Sequence, residues 1–222
     1  MSKEVVVYNP ATGDVLATLK SATREDVRSA VDNAYDAFQE WSTLPLKTRS
    51  KLLLRAADYV EQFFDEVLKI LVAESGKPIR DARAELWRAI EIIRSSAYEA
   101  RHILEGHAPR VDAYDYPPGN ESRLVVERRE PIGVVGGALS YNNPVSTFAH
   151  KIAPIVAAGN TVIVKPSSHT PLTALRLFEI FKRAGLPDGV INVVVGSGEE
   201  VFDELIENPK VAGITFTGST AG

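Results

Sequence analysis

Four short runs of apolar, mostly β-branched residues stand out in the second half of the chain, from Pro131 onward. They are "IGVVGGAL", "TVIVKP", "INVVVG" and "VAGITF", and stretches with helical periodicity separate them. Nearly continuous apolar runs are typical of strands buried on both faces, and strands that alternate with helices form a parallel sheet through right-handed crossovers. The pattern therefore predicts an α/β fold with an open parallel, Rossmann-like sheet. The helices that flank it are predicted to begin near Val145, Pro171 and Glu199.

The first half of the chain has a mostly helical pattern. Residues 5–19 predict two short strands around an Asn-Pro-x-x-Gly-Asp turn, and Thr23 is expected to cap the first helix. A second helix is predicted over 45–74 and a third over 78–106, each followed or closed by a glycine. Beyond them, residues 108–122 are rich in Pro, Gly and Asp, and "SRLVVERRE" has the alternation of an exposed strand or arm.

Composition excludes several classes of function. The chain is 45% hydrophobic and 24% charged with a net charge of −4, and no basic stripe favours nucleic-acid binding. No stretch reaches the roughly 18 apolar residues of a membrane span. The N-terminus lacks the apolar core of a secretory signal, so a cytoplasmic location is expected. The chain has no cysteine, and its four histidines show no metal-ligand spacing, so no metal site is expected.

Polar segments follow each of the four predicted strands. They are "LSYNNP" at 139–144, "KPSSHT" at 165–170, "GSGEE" at 196–200 and "TGSTAG" at 217–222. Ligands of open parallel sheets bind beyond the carboxyl ends of the strands, so these segments are candidates for one site. None of them matches G-x-G-x-x-G, the usual dinucleotide fingerprint.

Each candidate residue also has a purely structural interpretation. Lys165 either extends to solvent from a strand end or places a cation near a ribose hydroxyl or phosphate. Ser167, Ser168 and above all Thr170 are candidates to cap the helix that begins at Pro171. Ser219 either caps a helix or lies where a phosphate would meet a helix N-terminus.

Two further segments have the same ambiguity. Gly196 and Gly198 form either an ordinary turn or a place where a ligand approaches the backbone closely. Asn142 is either a turn residue before Pro144 or a side-chain amide that donates to a developing oxyanion. The residues alone leave both alternatives open.

Four longer segments resolve the ambiguity by resemblance. They are "EPIGVVGGALSYNNP", "KIAPIVAAGNTVIVKPSS", "AGLPDGVINVVVGSG" and "VAGITFTGSTAG". Together, in this order and with these gaps, they resemble the aldehyde dehydrogenase superfamily over essentially the whole chain. The resemblance implies that Asn142 holds the oxyanion, Lys165 reaches the adenosine ribose, Gly198 lines the adenine and ribose cleft, and Ser219 binds the pyrophosphate. The remaining cofactor-binding residues that we expect are Leu139, Ser140, Tyr141, Ser167 and Ser168.

The resemblance also implies a domain organisation. Residues 1–112 and 132–222 would form a discontinuous, incomplete cofactor-binding domain, and 113–131 would be an arm whose strand pairs with another subunit. A homo-oligomer, either dimer or tetramer, is therefore expected. The general-base glutamate and the nucleophilic cysteine of the family lie downstream of the "FTGST" turn, so the catalytic domain is expected to be absent from this chain.

Two departures from the family pattern concern the cofactor. Tyr141 stands where the family usually has tryptophan, which keeps an aromatic wall. Ser168 stands where the family usually has a glutamate that binds both ribose hydroxyls and repels a 2′-phosphate. A serine there relaxes discrimination against NADP, so the expected cofactor is NADP or NAD.

The sequence thus predicts the N-terminal, cofactor-binding portion of an NAD(P)-dependent aldehyde dehydrogenase, with a small aldehyde as substrate and no role for nucleic acid or membrane. One alternative is a non-catalytic binding or assembly module that kept this fold. The other is an unrelated α/β nucleotide-binding domain.

Overall fold

A computed structural model of the chain describes residues 3–113, 118–119 and 122–219. The N-terminal half consists of a hairpin and four helices: β1 (Glu4–Tyr8), β2 (Val15–Lys20), α1 (Arg24–Trp41), α2 (Leu46–Gln62), α3 (Phe64–Ser75) and α4 (Ile79–Ile103). The C-terminal half alternates strands and helices: β3 (Val134–Ala138), α5 (Pro144–Ala157), β4 (Thr161–Lys165), α6 (Pro171–Arg183), β5 (Ile191–Val193), α7 (Gly198–Glu207) and β6 (Val211–Thr215). The predicted strands and helix starts of this half are confirmed.

The four C-terminal strands form one parallel sheet in the order β5-β4-β3-β6. Ala138, the last residue of β3, is paired with Lys165, the last residue of β4. On the other side of β3, Gly137 is paired with Thr215 at the end of β6. The segments that follow these three strands therefore leave the sheet at the same edge.

Both faces of the sheet are covered at β3 and β4, which explains the uninterrupted apolar runs of these two strands. Side chains alternate between faces along a strand. Val162 and Val164 belong to a core formed with α2 to α6. Ile163 between them belongs to a second core, formed with Val27 of α1 and Leu205 of α7. None of the helices in the described part of the chain combines the length and apolar character that a membrane span requires.

The predicted helix ends are mostly confirmed. Thr23 caps α1 in a reciprocal capping box: its hydroxyl accepts from the Asp26 N–H at 3.2 Å, and the Asp26 carboxylate accepts from the Thr23 N–H at 2.8 Å. Gly76 ends α3 in the left-handed conformation with φ of 67°.

The single helix predicted over 45–74 is wrong, because two helices, α2 and α3, occupy this range with a break at Phe63. Phe63 has φ −96° and ψ 19°, and the guanidinium groups of Arg176 and Arg183 lie 5.1 and 5.0 Å from its ring centre. The neighbouring Phe64 is buried and its ring packs on Trp87 at 5.0 Å. The break allows the two consecutive rings to pack against different parts of the molecule.

The described part of the expected arm is exposed from residue 122 to residue 130. It makes one isolated antiparallel bridge, in which His107 and Glu127 exchange backbone hydrogen bonds of 3.2 and 2.7 Å. Leu124 is 83% exposed and Val126 is 68% exposed. Among the described residues, the segment 122–130 therefore lacks the continuous strand that its alternation predicts, because the chain offers it one bridging residue and no partner strand.

A buried carboxylate on the last helix, α7, binds two arginines of α1. Glu204 of α7 accepts hydrogen bonds from Arg24 at 2.8 Å and from Arg28 at 3.1 Å, both on α1, and from Asn208 at 3.1 Å. The hydrogen bond from Arg28 is the largest of the influences that lower the pKa of Glu204 to about 2. A carboxyl group whose pKa falls on folding stabilises the native state above its ordinary pKa.

We expect this contribution to be lost as the pH falls from about 4.5 towards about 2. In Glu204→Gln the free energy of unfolding will depend less on pH in this window, by at most about 1.4 kcal/mol per pH unit, the value for one proton. Urea unfolding at a series of pH values measures the difference. Asp203→Asn, an exposed neighbour on α7, is the matched control, and equal slopes for Glu204→Gln and the wild type would contradict the assignment.

Candidate functional site

The predicted cofactor residues of β3 and β4 lie together at the carboxyl edge of the sheet. Leu139 is buried, and its N–H donates to the Lys165 carbonyl oxygen at 3.0 Å. Tyr141 is 62% exposed, and its ring meets the His169 ring edge-on with 6.0 Å between centres. The segments 139–142 and 165–169 are thus in direct contact, with one aromatic side chain facing solvent beside them.

Lys165 is half-buried at the end of β4. Its Nζ donates to the Pro166 carbonyl oxygen at 3.0 Å, and burial lowers the pKa of the ammonium group. An ammonium group has three donors, so one carbonyl contact leaves capacity for a ligand. The ammonium group therefore lies against the backbone of the next residue, at the end of β4.

The serines of the edge differ in their surroundings. The Ser140 hydroxyl is buried and has no hydrogen-bond partner among the described residues. Buried hydroxyl groups are normally paired, so this oxygen is a candidate contact for a ligand. The Ser167 hydroxyl accepts from the His169 N–H at 3.3 Å, and Ser168 is exposed.

None of the predicted candidates caps helix α6. Thr170 makes no capping hydrogen bond, and its buried hydroxyl has no partner within the described structure. Glu74 of α3 takes this role: its two carboxylate oxygens accept from the Leu172 N–H at 2.8 Å and the Thr173 N–H at 2.9 Å. Burial raises the pKa of Glu74, and the hydrogen bonds to Thr173 and Leu172 oppose that shift. The expected cap at Thr170 is therefore wrong, because a distant carboxylate reaches the same amide groups.

Helix α5 begins in the same way. It starts at Pro144 without a side-chain cap from Asn143, and Oε1 of Glu85 accepts from the Val145 N–H at 2.8 Å and the Ser146 N–H at 3.1 Å. The sequence patterns predict no role for Glu85 or Glu74. The available signal was a carboxylate beside the apolar positions of a predicted helix, as Glu85 precedes Leu86.

The two glutamates restrict where an anionic ligand can bind. The free amide groups at a helix N-terminus are a natural anion site, but in α5 and α6 carboxylates already occupy them. The N-terminus of α7 is capped by Ser197, whose hydroxyl accepts from the Glu200 N–H at 3.1 Å. The N-termini of α5 and α6 are therefore poorly suited to bind a phosphate.

Asn142 lies in the turn that leads into α5. Its side chain is exposed, and its backbone carbonyl oxygen accepts from Nζ of Lys77 at 2.7 Å. The same ammonium group lies 3.5 Å from Oδ1 of Asn143 and forms a salt bridge with Glu85. Asn142 lies in a bend before Pro144, where the turn interpretation places it, and its role as an oxyanion donor stays a prediction.

The remaining predicted residues lie after β5 and β6. Gly198 is the first residue of α7, and a Cβ built there would meet nothing within 4 Å, so packing within this chain does not require glycine. A Cβ at Gly196 would lie 3.3 Å from Val201 and 3.4 Å from the Ala22 carbonyl oxygen, so that glycine has a packing reason. Ser219 is exposed after β6, and the helix expected beyond it lies outside the described residues.

Other features do not compete with this edge as a site. Residues 3–113, 118–119 and 122–219 contain no group of three or more His, Cys, Asp or Glu that could hold a metal ion. All four histidines, His102, His107, His150 and His169, are exposed. A cavity of about 530 Å³ is lined by Arg49, Pro131 and Ala158, which places it near the start of β3 and the end of α5, at the opposite edge of the sheet.

This arrangement defines an open parallel α/β protein with candidate ligand-binding segments at the carboxyl edge of its sheet. A family model described as the aldehyde dehydrogenase family matches residues 1–222, and the chain belongs to this family. The alternative of an unrelated α/β nucleotide-binding domain is thereby wrong.

Similar proteins include several named dehydrogenases. The mitochondrial succinate-semialdehyde dehydrogenase of Arabidopsis thaliana is 37% identical over 220 residues, which cover 99% of this chain and 40% of that protein. The NADP-dependent glyceraldehyde-3-phosphate dehydrogenase of Bacillus halodurans, solved in complex with NADP, is 34% identical with a TM-score of 0.92 over 99% of this chain and 45% of that one. The NAD-dependent benzaldehyde dehydrogenase of Corynebacterium glutamicum is 33% identical with a TM-score of 0.88 over 99% and 46%. The chain thus spans less than half the length of these relatives.

Proposed function

We propose that this chain provides the cofactor-binding part and the oxyanion donor of an enzyme that oxidises an aldehyde to a carboxylic acid with NAD or NADP. One observation carries the proposal: the segments after β3, β4 and β6 leave the sheet at one edge, and the first two are in contact there. Membership of the family and the names of the relatives support the same reaction class.

The residues of the edge fit a dinucleotide. The ammonium group of Lys165 and the hydroxyl groups of Ser167 and Ser168 are donors suited to ribose hydroxyls or a phosphate. The unpaired Ser140 hydroxyl and the open space at Gly198 add a buried polar contact and a place for close approach. When bound, the cofactor accepts the hydride of the substrate.

We place the pyrophosphate at Ser219 because the competing positions are filled. Glu85 and Glu74 occupy the amide groups at the N-termini of α5 and α6, and a phosphate there would meet a carboxylate at close range. The segment after β6 lies next to the end of β3 by the pairing of Gly137 with Thr215. A phosphate at Ser219 would therefore lie beside the segment that follows β3.

Asn142 would donate its side-chain amide to the oxyanion that forms when a nucleophile attacks the aldehyde carbonyl. Residues 1–222 contain no cysteine, so a thiol nucleophile would have to come from outside them. In the proposed enzyme this chain binds the cofactor and stabilises the developing charge, and the nucleophile and general base are supplied by the second half of the family fold.

Purified 1–222 will not reduce NAD or NADP in the presence of aldehydes, because it has no thiol nucleophile. In an enzyme that joins these residues to the second half of a family member, Asn142→Ala will lower kcat by about 10²–10³, the usual effect of one oxyanion donor. Absorbance at the reduced nicotinamide band measures both. Asn208→Ala, at the far end of α7, is the control. Turnover by pure 1–222, or normal kcat in Asn142→Ala, would contradict the proposal.

The exposed serine at 168 favours NADP or dual use over strict NAD. A hydroxyl group lacks the charge that would repel a 2′-phosphate, and Lys165 offers a positive partner nearby in the same segment. We expect 1–222 to bind adenosine 2′,5′-bisphosphate more tightly than adenosine 5′-monophosphate, by about ten- to a hundredfold for one charge contact. These two nucleotides test binding at the adenosine end of the cleft, because neither contains the nicotinamide part of the cofactor.

Titrations followed by NMR chemical shifts of residues 165–168 measure this preference even when binding is weak. Ser168→Glu should reverse or abolish it, whereas Ser29→Glu, which adds the same charge at an exposed position of α1, should leave it unchanged. A tenfold or greater preference for the monophosphate in the wild type, or an unchanged preference in Ser168→Glu, would refute the role of Ser168.

We further propose that the arm at 113–131 takes part in a homo-oligomer. Leu124 and Val126 are exposed on either side of Val125 near a single bridge, and Ile132, two residues before β3, is also exposed. Unpaired extended segments with apolar side chains recruit further strands. The cytoplasmic location expected from the sequence stays a prediction, and one relative is named as mitochondrial.

Sedimentation velocity tests the assembly. We expect the wild type to self-associate, with Leu124→Glu and Val126→Glu shifting it towards monomer by at least about tenfold in dissociation constant, since a buried interfacial charge costs more than 1.4 kcal/mol. Val15→Glu, at another exposed apolar position, is the matched control. A wild type that stays monomeric at high concentration would exclude the arm as an assembly element of this chain.

The second candidate function is a binding or assembly module without catalysis, which the lack of cysteine in these residues favours. Both functions predict cofactor binding at the carboxyl edge of the sheet. They differ in the joined enzyme, where Asn142→Ala affects turnover only if the chain contributes to catalysis.

A further inference from the structure

A buried ion pair lies directly beneath the turn that carries Asn142. Lys77 follows the Gly76 cap of α3, and its side chain is 15% exposed, whereas that of its partner Glu85 on α4 is 2% exposed. Nζ of Lys77 donates to the Asn142 carbonyl oxygen at 2.7 Å and lies 3.5 Å from Oδ1 of Asn143. With Glu85, these acceptors match the three donors of the ammonium group.

Glu85 extends the contact to the start of α5. One of its oxygens pairs with Lys77, and the other accepts from the N–H groups of Val145 and Ser146. A single carboxylate therefore connects the lysine to the helix that begins two residues after Asn142. The carbonyl group of Asn142 and the amide groups after Pro144 are both fixed by side chains from the helical half of the molecule.

Few other contacts hold this turn. On the N-terminal side of the turn, the Leu139 N–H donates to the Lys165 carbonyl oxygen. On its C-terminal side, the Thr147 N–H donates to the Asn143 carbonyl oxygen at 2.9 Å. Among the described residues, 140–142 take part in no backbone–backbone hydrogen bond outside regular elements. The hydrogen bond from Lys77 is thus made to a stretch of backbone, next to the proposed oxyanion donor, that has no such backbone–backbone hydrogen bonds of its own.

We propose that Lys77 is a positioning residue, which, held by Glu85, fixes the Asn142 backbone so that the side-chain amide keeps one orientation at the edge of the sheet. The proposal rests on the proposed role of Asn142. It matters for that role because an oxyanion donor must be preorganised, and a displacement of about 1 Å in a catalytic group costs about a hundredfold in rate.

The absence of cysteine allows a site-specific chemical test in 1–222. Lys77→Cys introduces a single thiol, which 2-bromoethylamine converts into a side chain of lysine length with an ammonium group. Iodoacetamide converts the same thiol into a neutral amide of similar bulk. Alkylation under denaturing conditions followed by refolding gives both adducts from one preparation.

NMR of the backbone and side-chain amide groups of Asn142 and Asn143 provides the readout. We expect the thiol form and the neutral adduct to shift or broaden these signals, because both lose the ammonium group that contacts the Asn142 carbonyl oxygen. The aminoethyl adduct should restore the wild-type signals. Restoration by the charged adduct alone is a result that a merely space-filling lysine would not give.

Glu74→Gln is the matched control, because Glu74 is another buried carboxylate that caps a helix but does not contact the Asn142 turn. The proposal is overturned if Lys77→Cys leaves the Asn142 signals in place, or if Glu74→Gln moves them equally. If Lys77→Cys does not fold, Glu85→Gln takes its place. This variant keeps Oε1 for Val145 and Ser146 and loses the charge that holds Lys77, so unchanged Asn142 signals in it also overturn the proposal.

The test is independent of turnover. Suppose that Lys77→Cys disturbs the Asn142 signals, but that Asn142→Ala leaves the kcat of the joined enzyme normal. This pair of results would refute the proposed function and leave the positioning contact in place. In the joined enzyme, whose second half supplies a thiol that alkylation would also modify, the neutral substitution Lys77→Met should lower kcat by about tenfold or more while the KM for the cofactor changes little, since Lys77 contacts the turn and not the β4 segment.

Discussion

The architecture depends on how the first amide groups of two helices are satisfied. Both α5 and α6 begin at a proline and lack a side-chain cap of their own. Each buried amide group left without a partner would cost about 1–3 kcal/mol. Glu85 and Glu74 supply the acceptors, and Trp41 and Arg49 bind carbonyl groups at the other end of α5, at 3.1 and 3.2 Å. The N-terminal helical half therefore contacts the helices of the α/β half at both the carboxyl and the amino edge of the sheet.

This constraint explains why the carboxyl edge lacks the glycine-rich fingerprint. In the usual dinucleotide fold, glycines let a phosphate approach the N-terminus of the helix after the first strand. Here the corresponding turn is Ser-Tyr-Asn-Asn-Pro, and a carboxylate already occupies the helix N-terminus behind it. Since this helix N-terminus is poorly suited to a phosphate, the turn before it can carry a side chain with another role. An exposed asparagine in it fits that interpretation.

Most of the fold could be predicted from the sequence, because its signals are local. The buried strands, the prolines at the starts of α5 and α6 and the Thr23 capping box each lie within a few residues of the structure they determine. The caps at Glu85 and Glu74 could not be predicted, since they join residues 60 and 99 positions apart. Local rules assigned the second cap to Thr170 instead. The break at Phe63 was missed for the same reason, because no glycine or proline marks it and tertiary packing imposes it.

Stability alone is a weak explanation for the buried Lys77–Glu85 pair. Removing two charges from water is costly, and well-packed apolar residues of similar volume are often as stable as a buried ion pair. An apolar residue at 85, however, would leave the Val145 and Ser146 amide groups unpaired, and one at 77 would leave the Glu85 charge without its cation. An apolar residue at 77 would also remove the hydrogen bond to the Asn142 carbonyl oxygen. What the pair adds beyond stability is therefore a defined geometry for the turn between β3 and α5.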